Sequence, residues 1–247
     1  MAILSDSFDE RLQEIEAYLQ LLEALERQVQ LGPPIIGGAP ITAQQQKILY
    51  SSVYLQLYNL VEATANWCIN AVTAAAADGA RWTAADLDSR LRREWVRTTA
   101  RTHVDMGYDS RLTTAIAFCD GIIKASPIGA WNVEKGGGGN WDDREIEEIS
   151  ERIGCELSIS RPIEAAAKRR IREDMGSLRL VKYLRNRLAH GQISFEECGD
   201  GVTVPDLVDI KDRTAGYLRE VIAAFERYIA DFGFIAPERR PSPGKPI

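Results

Sequence analysis

Apolar residues recur at steps of three and four along most of this chain, and that spacing is typical of amphipathic helices rather than strands. The first long stretch begins at a capping-box pair, Ser7 and Glu10, and ends at Gly32-Pro33-Pro34; its apolar positions are Phe8, Leu12, Ile15, Leu19, Leu22, Leu25 and Val29. A second stretch runs from Thr42, a favoured N-cap, to about Ala77, where Asp78-Gly79 closes it. Two long helices joined by a Gly- and Pro-rich loop predict an antiparallel pair.

Five more helices are predicted after this pair. They run from Thr83 and Asp86 to just before Gly107, from Asp109 or Ser110 to Pro127, from Asp142 to Gly154, from about Ser177 to Ala189, and from about Asp206 to Asp231. Strand signals are few: Leu157–Ser160 is a short extended piece, and residues 193–204, around Cys198-Gly199-Asp200-Gly201, resemble a hairpin. The patterns predict an all-α bundle with a small β-hairpin after the sixth helix. We expect one domain over residues 1–235 and a disordered, Pro-rich tail at 236–247.

The charge balance limits how the chain can meet nucleic acid. Thirty basic residues against 36 acidic ones give a net charge of -6, which excludes a protein that coats nucleic acid through bulk charge. One segment departs from this average and is called here the basic segment, residues 168–187. It carries eight cations against Glu173 and Asp174; they are Lys168, Arg169, Arg170, Arg172, Arg179, Lys182, Arg185 and Arg187. Any contact with nucleic acid is therefore expected to be local.

Cysteine spacing and hydropathy bear on cofactors and compartment. The four cysteines, Cys68, Cys119, Cys155 and Cys198, match neither zinc-ligand spacing nor a CxxC pair, so we expect reduced, mostly buried thiols and no metal or cofactor. The N-terminal residues lack the basic region of a secretory signal, and no apolar run approaches the roughly 20 residues that span a bilayer. The sequence favours a cytoplasmic protein without membrane association.

The strongest chemical signal is the segment Arg185-Asn186-Arg187-Leu188-Ala189-His190 at the predicted end of the sixth helix. A guanidinium offers a planar positive fork for a phosphate, and an imidazole titrates near neutrality, so the pair suits RNA cleavage. Residues five apart on a helix point about 140° away from each other. We expect Gly191 to end the helix at Ala189 or His190 and so bring the two together, with Asn186 hydrogen-bonding the imidazole or the backbone.

These residues resemble the HEPN superfamily, whose signature is Arg, four to six residues, then His, very often with Asn directly after the Arg. The segments Tyr183–Gly191 and Tyr58–Thr64 look most like its MAE-like group, and the resemblance spans residues 5–235. Arg97 and His103 also satisfy the Arg-to-His spacing, but Thr98 replaces the amide, and we interpret His103 as a surface residue.

The resemblance implies an activity and an assembly. One His and one Arg are too few for cleavage without a metal, and HEPN ribonucleases pair two motifs across a dimer cleft. The implied reaction is attack by the RNA 2′-hydroxyl to give a 2′,3′-cyclic phosphate, in a toxin or anti-phage effector with a cognate antitoxin or defence partner. In HEPN toxins silenced by adenylylation a Tyr lies two places after the His; here that position is Gln192, which argues against that control.

Five further residues are candidates for the same site. Lys182 and Arg187 flank the motif, where they either hold neighbouring phosphates or serve as solvated charges at a helix end. Tyr58 and Asn59 are expected to line the cleft. Glu62 either orients Arg185 or His190 or simply faces solvent from the second helix.

Two other readings stay open. A non-catalytic helical module would bind RNA or a protein partner through the basic segment and the first helix. A structural coiled-coil assembly is suggested by the first helix, although about three heptads are short for one.

Overall fold

Helices dominate the computed structural model, which describes residues 2–29, 32–102, 104–134 and 140–241. Nine α-helices and one two-stranded hairpin form the regular structure of those residues, so the predicted all-α class is confirmed. In the described part of the chain, no helix combines the length and apolar character needed to cross a membrane. The residues divide into two compact units, and the long helices α2 (Ala43–Ala77) and α9 (Val204–Ala230) contribute to both.

Unit 1 comprises the chain up to Thr64, Asn140–Arg144 and Ile159–Val221. It holds α1 (Ala2–Val29), the hairpin β1 (Ile35–Ile36) and β2 (Ala39–Pro40), the first part of α2, α6 (Arg161–Lys168), α7 (Ser177–Ala189), α8 (Phe195–Gly199) and the first part of α9. Its core is fully buried and includes Phe8, Leu22, Leu57, Tyr58, Leu180, Leu184 and Tyr217. Ion pairs from Arg219 to Asp9 and from Lys211 to Glu16 hold α9 against α1.

Unit 2 contains the described parts of residues 65–139, Glu145–Ser158 and the described residues from Ile222 onward. It holds the second part of α2, α3 (Ser89–Thr99), α4 (Tyr108–Ile123), most of α5 (Asp143–Ile153) and the end of α9. Its buried core includes Cys68, Ile69, Leu87, Leu91, Ile153, Phe225 and Phe234. Glu94, only 3% exposed, is paired with Arg152 at 2.6 Å and Arg97 at 3.0 Å.

The hairpin prediction was wrong in its position. Residues 195–199 form α8, because Ser194 and Glu197 make a reciprocal capping box that favours a helix over a turn. The hairpin lies instead between α1 and α2, where Gly37 and Gly38 both have positive φ, as a two-residue β-turn of the primed type requires.

Helix boundaries agree with the sequence to within two residues for α2, α5, α7 and α9 and differ elsewhere. Thr42 caps α2 reciprocally with Gln45, as predicted. The first helix starts at Ala2, so Ser7 lies within it rather than at its cap. Thr83 and Asp86 form a turn, and Asp88 caps α3 instead. Helix α6 was not anticipated.

The C-terminal segment packs further than expected. Ala236 is buried, and its amide donates to the Asp86 carbonyl at 2.8 Å. Pro237–Arg239 forms a 3₁₀ turn, and Arg239 pairs with the Asp86 carboxylate at 2.8 Å. The described chain continues to Pro241. The rest of the predicted tail, 242–247, lies outside the described residues, as do His103 and the run Gly136–Gly139.

Candidate active site

The motif lies at the C-terminal end of α7, where the sequence predicts the helix to stop. His190 is the C-cap residue, and Gly191 follows in the left-handed conformation with φ +64°. The Gly191 amide donates to the Leu188 carbonyl and the Gln192 amide to the Arg187 carbonyl, which is the bonding pattern of a Schellman motif. The predicted helix end is confirmed, and it leaves the His190 side chain exposed.

Arg185 is held on several sides within unit 1. Its guanidinium carbon lies 4.1 Å from the centre of the buried Tyr58 ring, a cation–π distance. Its Nη2 lies 4.0 Å from Glu62 Oε2, and its Nη1 donates to Asn186 Oδ1 at 2.8 Å. The side chain remains 31% exposed. Since a guanidinium has five N–H donors, donors remain for a ligand.

The Asn186 side chain hydrogen-bonds neither the imidazole nor the backbone, the two partners that the sequence led us to expect. Its side-chain oxygen accepts from Arg185, and its Nδ2 donates to Asn140 Oδ1 at 3.1 Å. No side chain among the described residues hydrogen-bonds the His190 ring. The amide therefore organises the arginine and not the histidine.

The sequence did not identify three consecutive residues that contact this site, Asn140, Trp141 and Asp142. Asn140 accepts from Asn186, the Trp141 amide donates to the Tyr58 hydroxyl at 3.3 Å, and Asp142 pairs with Lys182 at 2.5 Å. The sequence identified Asp142 only as the start of a helix. No local pattern predicts its partners, which lie tens of residues away.

Comparison with known proteins identifies the family of this chain. A family model, MAE_28990-like HEPN, matches residues 2–234. The chain belongs to the HEPN family. Comparison with curated proteins found no match, and comparison with solved structures found none. Membership in the HEPN family supports an RNA-related or nuclease-type role.

The two cations that flank the HEPN motif, Lys182 and Arg187, both contact other side chains of the protein. Lys182 is 19% exposed and paired with Asp142, which is itself nearly buried. Arg187 lies over the Tyr183 ring at 5.4 Å and donates to its hydroxyl at 3.2 Å. Asn59 is exposed on α2. The flanking cations thus have protein partners before any phosphate arrives.

The basic segment of the HEPN chain is largely neutralised. Five of its eight cations are paired with carboxylates; the pairs are Lys168–Glu164, Arg169–Asp209, Arg170–Asp174, Lys182–Asp142 and Arg185–Glu62. Arg172 donates to the Cys198 carbonyl, whereas Arg179 is exposed. The segment is therefore a set of local ion pairs rather than a continuous positive surface.

Burial is the main influence on the pKa values of the titratable groups near the site. Burial raises the pKa of the Tyr58 phenol, and nearby Glu62 raises it further, against lowering by the Trp141 hydrogen bond, Arg185 and Lys182. Tyr58 therefore stays a neutral phenol that supports Arg185. Burial also raises the pKa of Cys198 to about 11, so this thiol stays protonated. Over the described residues, no group of three or more His, Cys, Asp or Glu side chains is placed to hold a metal ion.

Proposed function

We propose that this HEPN protein is a metal-independent endoribonuclease that works as a homodimer, with Arg185, Asn186 and His190 from each copy at one cleft. The proposal rests on the contacts of Arg185 and the exposure of His190. Arg185 is fixed over Tyr58 with donors to spare, beside a helix end where His190 is exposed. Two fixed cations and two accessible imidazoles, one pair from each copy, would supply the charge stabilisation, the base and the acid that phosphodiester cleavage requires.

The proposed reaction uses the two histidines as acid and base. One His190 removes the proton of the RNA 2′-hydroxyl, and the 2′-oxygen attacks the adjacent phosphorus. The bond from phosphorus to the 5′-oxygen breaks, and the second His190 protonates that oxygen. The products are a 2′,3′-cyclic phosphate and a 5′-hydroxyl. The two Arg185 side chains stabilise the negative charge of the phosphorane, while Tyr58 and Glu62 hold each guanidinium in place.

The proposed biological role is that of a toxin or an anti-phage effector in the cytoplasm, controlled by an antitoxin or a defence partner. This part rests on analogy with HEPN proteins rather than on a feature of the site.

A non-catalytic helical module that binds RNA or a protein is the second candidate. The neutralised basic segment favours a protein partner over RNA for such a module, because cations already paired with carboxylates contribute less to binding a polyanion. The two functions differ in what they require of His190.

Cleavage of RNA by the purified protein in excess chelator tests the proposal. We expect wild type to release products with 2′,3′-cyclic phosphate ends, detected by mass spectrometry. His190→Ala should lower the rate at least about 100-fold at unchanged fold, whereas an oligonucleotide with 2′-deoxyribose at the cleaved position should stay intact. His103→Ala, at the chain's only other histidine, is the matched control and should retain activity. Equal cleavage by wild type and His190→Ala would refute the enzyme function.

A further inference from the structure

The hydrogen bonds around the motif form a chain with one possible direction. Arginine donates and never accepts, so the side chain oxygen of Asn186 must face Arg185. The NH₂ group of Asn186 must then point the other way and needs an acceptor. Asn140 Oδ1 supplies that acceptor at 3.1 Å, 46 residues away in the chain. An amide with both ends engaged has one favoured orientation.

Asn140 itself is kept in place by its neighbours. Trp141 is 4% exposed and donates its amide to the hydroxyl of Tyr58, the residue beneath Arg185. Asp142 is 5% exposed and pairs with Lys182, one turn before the motif on α7. Although Asn140 is exposed, the residues that follow it are buried and anchored to the two helices that carry the site.

We propose that Asn140 is a further positioning residue of the ribonuclease site, which orients the Asn186 amide and through it the Arg185 guanidinium. This inference rests on the proposed function, because it concerns the same site. Asn140 acts through another side chain. Its loss should therefore reduce kcat more than it raises KM and should leave the pH profile of cleavage unchanged.

A double-mutant cycle tests the relay. Asn140→Leu removes the acceptor while keeping the number and branching of side-chain heavy atoms, and it should lower kcat roughly tenfold, as expected for one aligned hydrogen bond. Asn140→Asp keeps an acceptor oxygen and should stay within about threefold of wild type. In an Asn186→Ala background, Asn140→Leu should cause no further loss, since the residue through which it acts is gone. The matched control is Asn70→Leu, at an exposed asparagine on α2 in the other unit.

The outcomes separate this inference from the proposed function. If wild type cleaves RNA but the losses in Asn140→Leu and Asn186→Ala are additive, or Asn140→Leu is fully active, the relay is refuted and the ribonuclease stands. If wild type does not cleave RNA, the ribonuclease fails. In that case, ¹⁵N NMR of arginine side chains still reports on the relay: Asn140→Leu should speed rotation and solvent exchange of the Arg185 guanidinium, and an unchanged signal would overturn the positioning role.

Discussion

At the scale of single residues, the site depends on what surrounds Arg185 as much as on the motif itself. A guanidinium stacked on Tyr58 and bonded to Asn186 has few rotamers left, so little conformational entropy is lost when a phosphate binds. Lysine has the same charge but no planar face and no fork. The identity of residue 185, and not merely its charge, should matter.

Arg185→Lys is accordingly expected to lower kcat/KM for RNA cleavage about 100-fold, the effect of removing an oriented donor from a charged transition state. Steady-state cleavage kinetics measure it, with circular dichroism to verify the fold. Arg179→Lys is the control, because Arg179 is an exposed arginine on the same helix. If both lysine variants keep wild-type kinetics, Arg185 contributes only its charge and the stacked geometry is irrelevant.

At the scale of elements, close packing and fixed termini stabilise each unit internally. In unit 1, α8 contacts α2 at Gly199, where a Cβ atom would come within 2.1 Å of the Lys47 carbonyl oxygen. In unit 2, two hydrogen bonds from Thr83 hold the Asp86 carboxylate, and this carboxylate anchors the C-terminal segment through an ion pair with Arg239. Each contact makes a separate prediction for stability.

Gly199→Ala should lower the free energy of unfolding by about 2–3 kcal/mol, since backbone must move to admit the methyl group. The control is Gly201→Ala two residues later, where φ is +67° but nothing lies within 4 Å. That change should cost about 1 kcal/mol from backbone strain alone. Urea denaturation of both variants measures the difference, and equal losses would show that α8 does not pack tightly on α2.

The Asp86 anchor predicts a pH dependence of stability. Burial alone would raise the pKa of this carboxyl, but the Thr83 hydrogen bonds and Arg239 outweigh it, so the pKa lies below its ordinary value of 3.8. The stabilisation is therefore complete above that value and is lost as the pH falls through the lowered pKa. Asp86→Asn should cost about 2 kcal/mol at pH 7, and the gap to wild type should narrow toward pH 3. A gap in unfolding free energy that stays constant from pH 7 to pH 3 would contradict this account.

At the scale of the whole molecule, the proposed chemistry needs more than one chain. Each copy supplies one motif, with a single arginine held by Tyr58 and a single histidine at the end of α7. A composite cleft would hold two of each. This makes activity depend on assembly, so dilution below the dimer dissociation constant should abolish cleavage while leaving each chain folded.

Mixing wild type with His190→Ala tests the composite cleft. A mixed dimer keeps only one of the two histidines that the proposed reaction needs and should be inactive, so activity should fall with the square of the wild-type fraction. The measurement is RNA cleavage after subunit exchange as a function of mixing ratio, alongside light scattering for mass. Mixing wild type with His103→Ala at the same total concentration is the control and should leave the activity unchanged. Activity that falls only in proportion to the wild-type fraction, although mixed dimers form, would place the whole site in one chain.

Local patterns predicted much of this protein. The 3.6-residue periodicity located α2, α5 and α7 because it records which face of each helix is apolar, and Gly191 marked the end of α7 because a positive φ favours glycine. Short-range sequence patterns also indicate where the hairpin lies, although the prediction placed it elsewhere. Ser194 and Glu197 carried a capping signal stronger than the turn-like residues after it, and Gly37-Gly38 carried the hairpin signal.

Tertiary structure alone decided how the motif is supported. The sequence determined that an arginine, an amide and a histidine lie within six positions of one another at a helix end, since all three belong to one short segment of the chain. It did not determine that Asn186 turns away from His190 toward Asn140, or that Asp142 neutralises Lys182. Those contacts join residues about 40 or more positions apart. Such pairings depend on how helices pack, which no short-range periodicity records.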